Sequence, residues 1–325
     1  MRSMGATQER GSMFLIKRFA KRIRNFLAAP ILEELQRGGG GHDAILEELR
    51  SRGDGPDAGT QLLLTWSYRQ MIEQGRPLPS LNEVGFKCFS QTDEDGILLF
   101  LFSIVGVKHK LSVEICAGDG LECNSTNLIL NHGWHGLLVD GDEANVSRGK
   151  RFFAQSRNTY VYPPQFVCSW VTKSSVNRLL LDHGFQGEID LLSLDMDGVD
   201  YWIWESIEII PPRVVVLEYQ DMLGPDRSWT VPYDDQFTFR SYPTTDGMPN
   251  FAGASLRAFV NLAHRKGYRL VGVNRYGYNA FFVRNDLGAD ILPEVALEEC
   301  FSHPKVMWGI RERFPTTENF PWVEV

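Results

Sequence analysis

The stretch SVEICAGDGLECNSTNLIL, residues 112–130, decides the fold of this chain. An apolar run of strand length ends in a turn that contains Gly118 and Gly120, and a segment of helix length follows the turn. Glycine lets the backbone turn tightly and approach a ligand closely. The strand also contains Glu114, and a carboxylate inside an apolar strand is unfavourable unless it meets a donor or a cation. The stretch therefore predicts the first strand and helix of an α/β sheet, with a ligand near the turn.

The same alternation of strand and helix continues along the chain. An open sheet built in this way is mostly parallel and carries helices on both faces. Near residue 275 the tetrapeptide RYGY separates two strand-like runs, and this connection is short enough for an antiparallel hairpin. The predicted fold class is α/β, Rossmann-like and doubly wound, with a mostly parallel sheet. The further strand-like runs lie at 136–140, 166–171, 189–195, 213–219, 268–274 and 279–284.

Length and composition indicate one main domain with an extension. The chain has 325 residues, of which 43% are hydrophobic and 23% charged, and this suits one domain of about 200–250 residues with a sizeable core. We expect residues 1–79 to form an N-terminal helical extension and residues 80–325 to form the domain.

A basic amphipathic helix is predicted at about 14–29, in the sequence FLIKRFAKRIRNFLAAP. Its apolar residues recur at helical spacing, and its lysines and arginines fall largely on the other side. One interpretation is that this helix packs on the domain or on a second subunit in a homo-oligomer. The other is that it rests on an anionic membrane as a peripheral contact.

Charge and cysteine usage narrow the class of protein further. The formal net charge of −8 argues against a nucleic-acid binder, which needs clustered Lys and Arg. The five cysteines are scattered and show no C-x-x-C pairing, so we expect reduced thiols in a cytoplasmic protein.

An acid ends the second predicted strand in the sequence VDGD, which contains Asp140 and Asp142. A carboxylate at this place can accept both hydroxyls of a ribose. With the glycine turn it favours a ligand that contains adenosine; the alternative is a tight turn and a helix cap. The G-x-G-x-x-G pattern of pyrophosphate binding is incomplete, because Cys123 occupies its third glycine position. This favours S-adenosylmethionine over a dinucleotide.

A second acidic stretch, DLLSLDMDGVDYWIWE at 190–205, ends the fourth strand. Asp195 closes this strand, Asp197 follows it, and Glu218 ends the fifth strand, so all three are expected at one edge of the sheet. Their oxygens suit Mg²⁺ or Mn²⁺. Asp195 or Asp197 could instead act as a metal-free base for a substrate hydroxyl, or simply cap the next helix. His264 is an alternative base, although a lone histidine is more often structural.

Several blocks of sequence, in the same order, resemble the class I S-adenosylmethionine-dependent methyltransferases and, more closely, the bacterial FkbM-like group. This resemblance implies a seven-stranded sheet with an antiparallel last strand, the cofactor over the first two strands, and O-methylation of a hydroxyl on a sugar or secondary metabolite. Cys116 stands where the family motif has its first glycine. The blocks span about residues 85–290 and are SVEICAGDGLECNSTNLIL, LLVDGD, DLLSLDMDGVDYWIW, FSQTDEDGILLFLF, VVLEYQDMLGPDRSWTVPYD and GASLRAFVNLAHRKGYRLVGVNRYGYNAFFVRNDL.

The resemblance also implies roles for residues at the matching positions. The methionine portion of the cofactor would contact the turn after the first strand, the ribose the end of the second strand, and the adenine the end of the third. Gln91 would lie near the carboxyl or amino group of the cofactor, and Asp195 would face the methyl group. The remaining implied contacts are Glu114, Gly118, Asp119 and Gly120 for the methionine portion, Asp140 or Asp142 for the ribose, and Ser169 and Trp170 for the adenine.

The segment 220–253 is too long for a simple connector, and its aromatic and acidic side chains suit a lid that recognises a small-molecule or glycan acceptor. A dimer interface is the main alternative for this segment. Two other functions remain open for the whole chain. A nicotinamide-dependent oxidoreductase is disfavoured by the missing glycines, and a non-catalytic cofactor-binding scaffold is disfavoured by the intact acids.

Overall fold

The computed structural model describes residues 55–325, so the predicted helix at 14–29 lies outside the described residues. Seven strands form one sheet in the spatial order β3-β2-β1-β4-β5-β7-β6. Every neighbouring pair is parallel except those of β7, which runs antiparallel to both β5 and β6. The strands are β1 Leu111–Ile115, β2 His135–Asp140, β3 Gln165–Cys168, β4 Ile189–Leu194, β5 Pro212–Glu218, β6 Tyr268–Val273 and β7 Asn279–Arg284.

This topology confirms the predicted fold class. The sheet is mostly parallel, Rossmann-like and doubly wound, and its last strand in sequence is antiparallel, as the RYGY hairpin and the resemblance both predicted. The strand order reverses between β1 and β4, and such a reversal opens a crevice at the carboxyl ends of the strands.

Helices cover both faces of the sheet. Helices α3, α4 and α5 pack on one face, with α1 against α3, while α6, α7 and α8 pack on the other. Because β-strand side chains alternate between faces, neighbouring core residues such as Leu191 and Leu192 belong to different layers of the core. The helices are α1 Ala58–Glu73, α2 Leu81–Val84, α3 Glu94–Val105, α4 Thr126–His132, α5 Glu143–Gln155, α6 Val176–Asp182, α7 Asp200–Ser206, α8 Leu256–Lys266 and α9 Pro304–Trp308.

Helix α1 belongs to the stretch that the sequence assigned to an extension, yet it packs on the main body. The Tyr68 ring meets Phe100 of α3 edge-on at a centroid distance of 5.0 Å. The buried Gln61 amide donates to the Asn127 side chain at 3.1 Å. Residues 58–73 are therefore held to the domain by both apolar and polar contacts.

The aromatic side chains that follow β4 belong to the core. Helical spacing of Tyr201 and Trp204 predicts that both face the sheet, and both are 1% exposed. Trp204 packs beside Phe282 of β7 at a ring-centroid distance of 5.5 Å. The prediction for these two side chains is confirmed.

The segment after β5 and the C-terminal segment pack together. Trp229–Thr230 pairs with Val323–Glu324 in an antiparallel ribbon, and the Trp229 and Trp322 rings stack at 6.4 Å. All five cysteines are free, as predicted. Within residues 55–325, every helix is too short or too polar to cross a bilayer.

Candidate functional site

The turn after β1 has the backbone shape that the glycine pattern predicted. Gly118 and Gly120 have φ values of +57° and +73°, in the left-handed region that glycine tolerates. Cys116 also has a positive φ, +64°, which explains why a glycine is expected at this position. A Cβ on Gly118 would meet no atom within 4 Å, so this part of the turn borders open space, where a ligand can approach.

Glu114 is buried in β1, and both of its oxygens bind this turn. They accept the backbone N–H groups of Asn124 at 2.8 Å and Ser125 at 2.7 Å. These donors compensate the burial of the carboxylate. The visible task of Glu114 is thus to anchor the loop that leads into α4, and a direct contact with a cofactor stays a prediction.

The two acids after β2 have different positions. Asp140 is 9% exposed, and its carboxylate accepts the N–H of Gly118 at 2.9 Å and that of Asp142 at 2.9 Å. Asp142 is exposed and caps α5 by accepting the Ala144 N–H at 2.8 Å. Of the two, Asp140 lines a cavity. It is therefore the better candidate for a ribose contact, because each carboxylate oxygen can accept more than one hydrogen bond.

That cavity, here called the cofactor cavity, encloses about 580 Å³ when the space open to solvent at its mouth is included, and it lies over the carboxyl ends of β1, β2 and β4. Ser169 and Trp170 are part of its wall, and their contact with an adenine stays a prediction. The Trp170 indole is 57% exposed and donates its N–H to the Asp235 carbonyl at 2.6 Å. Apolar lining comes from Ile115, Val139, Met196, Val199 and Phe237.

Part of the predicted lid closes this cavity. Tyr233 and Phe237 line it from the segment 220–253. The Phe237 ring lies so close to Gly198 that a Cβ there would approach it to 2.6 Å. Lys173 donates its backbone N–H to the Tyr233 hydroxyl at 2.8 Å. The segment therefore reaches the cofactor side of the rim, which the sequence did not indicate.

Gln91 is not in this cavity. Its side chain is exposed, and its backbone carbonyl accepts from Lys87 at 3.0 Å. The nearby Asp95 is buried and folds its own loop, since one oxygen accepts the N–H groups of three consecutive residues, 88–90. The position of Gln91 therefore does not support the cofactor contact that the resemblance implied. The nearby acids instead stabilise the loop that leads into α3.

The predicted acidic cluster is present. Oxygens of Asp195, Asp197 and Glu218 lie within 4.8 Å of one another. Burial, with the nearby charge of Asp197, raises the pKa of Asp195 to about 7. Burial and the charge of Asp195 hold the pKa of Glu218 well above its usual range. The charge of Arg240 opposes the rise for Asp197, but none of the three acids forms a salt bridge with a described basic residue. Adjacent acids of this kind favour either a shared proton or a bound cation.

Asp200, which belongs to the same acidic stretch 190–205, builds the turn that presents the cluster. It is 1% exposed and accepts the backbone N–H groups of Met196 at 2.7 Å and Gly198 at 3.1 Å. Within this turn Asp197 has a φ of +51°. A non-glycine residue in the left-handed region is typical of a functional turn. Asp200 thus positions Asp197.

A second cavity, of about 400 Å³ when the space open to solvent is included, adjoins the cluster and is here called the acceptor cavity. Asp197 and Glu218 form one part of its lining, and Gln220, Met248 and Gly253 bring the segment 220–253 into it. Lys305 and Arg313 come from the C-terminal segment. Sequence reasoning missed both basic residues, because no motif connects them to β5.

His264 does not reach this edge of the sheet. Its ring lies 2.6 Å from Glu294 at the surface, and its side chain is 51% exposed. It sits in the last turn of α8, just before β6 begins, and thus at the amino ends of the parallel strands. Its role as an alternative base is therefore not supported by its position.

Comparisons with known proteins gave structural neighbours only. No protein-family model and no curated protein sequence matches this chain. An O-methyltransferase from Bacillus cereus, solved with SAH, is 13% identical and has a TM-score of 0.38; the match covers 70% of this chain and 90% of that one. Magnesium protoporphyrin IX methyltransferase from Synechocystis, solved with SAM, is 11% identical with a TM-score of 0.36, over 78% of this chain and 96% of that one. An S-adenosylmethionine-dependent methyltransferase from Clostridium acetobutylicum is 9% identical with a TM-score of 0.35, over 55% and 86%.

Proposed function

We propose that this chain is an S-adenosylmethionine-dependent methyltransferase that methylates a hydroxyl group of a sugar or secondary metabolite. One observation carries the proposal: the turn after β4 lies between two cavities. Met196 and Gly198 line the cofactor cavity, and Asp197 between them lines the acceptor cavity. A transfer reaction requires two ligands that meet at one catalytic group, and this turn provides such a meeting point.

The residues around the cofactor cavity fit an adenosine-containing ligand that carries no diphosphate. Trp170 offers an exposed aromatic face to a base, and Asp140 can accept from a ribose. The open space beside Gly118 leaves room for the methionine portion. When bound, S-adenosylmethionine supplies an electrophilic methyl group.

The acids beside the cavities match the needs of the acceptor. A hydroxyl oxygen forms a bond to the methyl carbon while the carbon–sulfur bond breaks, and the hydroxyl proton must leave. Asp197 lines the acceptor cavity and is the residue that takes this proton. Asp195 and Glu218 lie beside it and orient the hydroxyl.

A divalent cation is part of the proposal. Three carboxylates that meet within 4.8 Å fit Mg²⁺ or Mn²⁺, because opposite oxygens on such an ion are about 4 Å apart. Asp195, Asp197 and Glu218 would hold the ion, which would supply positive charge that lowers the pKa of the acceptor hydroxyl. With the ion present, its three ligands would lose their raised pKa values.

The test is a calorimetric titration with S-adenosylhomocysteine, with Mg²⁺ and then with a chelator. We expect binding in both conditions. The variant Trp170→Ala should weaken it by roughly tenfold or more, since stacking on an aromatic ring contributes about 1–3 kcal/mol. Trp66→Ala is the matched control, because Trp66 is 62% exposed on α1, away from both cavities.

Two results would overturn the proposal. Tight binding of NADH without binding of S-adenosylhomocysteine would assign the cavity to an oxidoreductase. Equal loss of affinity in the two tryptophan variants would show that the cofactor cavity is not where the nucleoside binds.

A further inference from the structure

One part of the lining of the acceptor cavity, formed by Asp221, Lys305 and Arg313, holds two cations against one carboxylate. Asp221 is 2% exposed and binds two cations: the Lys305 ammonium at 2.9 Å and the Arg313 guanidinium at 3.1 Å. One carboxylate therefore faces two positive charges. The side chains of Lys305 and Arg313 are only 17% and 3% exposed, so water compensates little of the excess.

Arg313 and Lys305 differ in the number of hydrogen bonds that they donate. Arg313 donates to Asp221, to the side chains of Asn250 and Gln220, and to the Pro249 carbonyl. It serves to fix the C-terminal segment to the segment 220–253. Among the described residues, Lys305 donates only to Asp221, and its ammonium lies 4.0 Å from the centre of the Tyr278 ring. Its remaining N–H groups are free for a ligand.

Glu218 is close enough for its negative charge to act on Lys305. Asp197 and Glu218 line the same cavity, but the sulfonium of the cofactor and a divalent cation would face them. A buried charge without a partner is unfavourable. An anionic group on the acceptor would therefore bind at Lys305 with a favourable charge-assisted hydrogen bond.

We propose that the acceptor carries an anionic group, such as the carboxylate of a uronic acid, and that Lys305 binds it. This inference rests on the proposed function and narrows its substrate class. Lys305 acts as the specificity-determining residue, because it holds the anionic end of the acceptor while the hydroxyl lies at Asp197. With a neutral sugar, Lys305 would keep only the Asp221 carboxylate, which it shares with Arg313.

The experiment compares glucuronate with glucose, which share a ring and differ in one carboxylate. Binding is followed by ligand-observed NMR on the full chain loaded with S-adenosylhomocysteine and Mg²⁺. We expect glucuronate to bind roughly tenfold tighter than glucose. Lys305→Gln should abolish this preference and Lys305→Arg should keep it. Lys108→Gln makes the same change of charge at the other edge of the sheet and should have no effect.

The outcomes separate the two proposals. If S-adenosylhomocysteine binds but the two sugars do not differ, the anionic acceptor is wrong and the methyltransferase proposal stands. A preference that persists in Lys305→Gln, with the melting temperature unchanged, would also contradict the role of Lys305. Failure to bind S-adenosylhomocysteine would overturn the proposed function itself, and this inference with it.

Discussion

Acidic residues lie at the amino end of β4 and at the carboxyl ends of β4 and β5, and the surroundings of these acids differ between the two edges of the sheet. At the amino end, Glu188 lies 2.6 Å from Arg284 and 3.0 Å from Lys108. Asp190 accepts the backbone N–H of Lys108 at 2.7 Å and lies 3.7 Å from Arg213. At the carboxyl end, Asp195, Asp197 and Glu218 form no salt bridge with a described residue.

The pKa values follow from this difference. The hydrogen bonds and charges of Lys108 and Arg284 lower the pKa of Glu188 to about 2, although partial burial opposes the shift. Burial and neighbouring acids raise the pKa of Asp195 to about 7. The amino-end acids are therefore part of the stability of the fold. The carboxyl-end acids are unfavourable in isolation, and such sites are typical of binding or catalysis.

The largest effect is expected when one acid at each edge of the sheet is replaced by its amide. Asp197→Asn should reduce methyl transfer about 10²–10⁴-fold, the contribution typical of a general base, with a melting temperature that does not fall, because the substitution removes one of three adjacent acids. Glu188→Gln should lower the melting temperature by several degrees, because it removes the charge that Lys108 and Arg284 bind, and should leave transfer unchanged. Transfer is measured with labelled cofactor, and stability by thermal unfolding.

Binding of S-adenosylhomocysteine is the control for both variants, and it should persist in each. Turnover that survives in Asp197→Asn would remove this residue from the chemistry. Loss of turnover in a folded Glu188→Gln variant would show that the two ends of the sheet do not divide the tasks as described.

The next effect is on the pH dependence of stability, measured without divalent cations. The pKa of Asp195 is raised to about 7, so the folded chain keeps a proton that the unfolded chain loses from about pH 4 upward. Stability should therefore fall as the pH rises from about 4 to 7. The pKa values of Asp200 and Asp95, both raised by burial to about 6, act in the same direction. Glu188, with its lowered pKa, acts oppositely below about pH 4.5.

Added Mg²⁺ should change this pH dependence of stability. A cation at the carboxyl end competes with protons for the same oxygens, so Mg²⁺ should raise the melting temperature more at pH 8 than at pH 5.5. A buffer that contains a chelator and no added Mg²⁺ is the control. An equal shift at both pH values, or none, would contradict a cation site made of Asp195, Asp197 and Glu218.

The sheet and the meeting of these acids were predictable from the sequence. Alternating apolar runs define the strands, and the carboxyl ends of parallel strands necessarily share an edge. Asp195 and Glu218, which are 23 residues apart by their numbers, could thus be placed together without any coordinates.

The other contacts of the candidate site depend on irregular structure. Lys305 and Arg313 reach Asp221 across 84 and 92 residues, through short helical turns that carry no periodic pattern. The roles of Gln91 and His264 were predicted from their positions along the chain. The conformation of the loop before α3 decides where Gln91 lies, and the end of α8 decides where His264 lies. Helix periodicity and strand alternation contain no information on such contacts.

The smallest expected effect is a change in stability, and it concerns Cys116 and Gly118 in the turn after β1. Cys116 and Gly118 have nearly the same φ, +64° and +57°, but only the glycine adopts it without strain. A left-handed conformation costs an L-residue about 1–2 kcal/mol, and the freedom of glycine in the unfolded chain costs about 0.5–1 kcal/mol. Cys116→Gly should therefore stabilise the chain by about 0.5 kcal/mol, while Gly118→Ala should destabilise it by a similar amount or more. Thermal unfolding measures both. Because Cys116 also lines the cofactor cavity, a loss of S-adenosylhomocysteine binding in Cys116→Gly would mean that its side chain contacts the ligand, and that the strain is retained for binding.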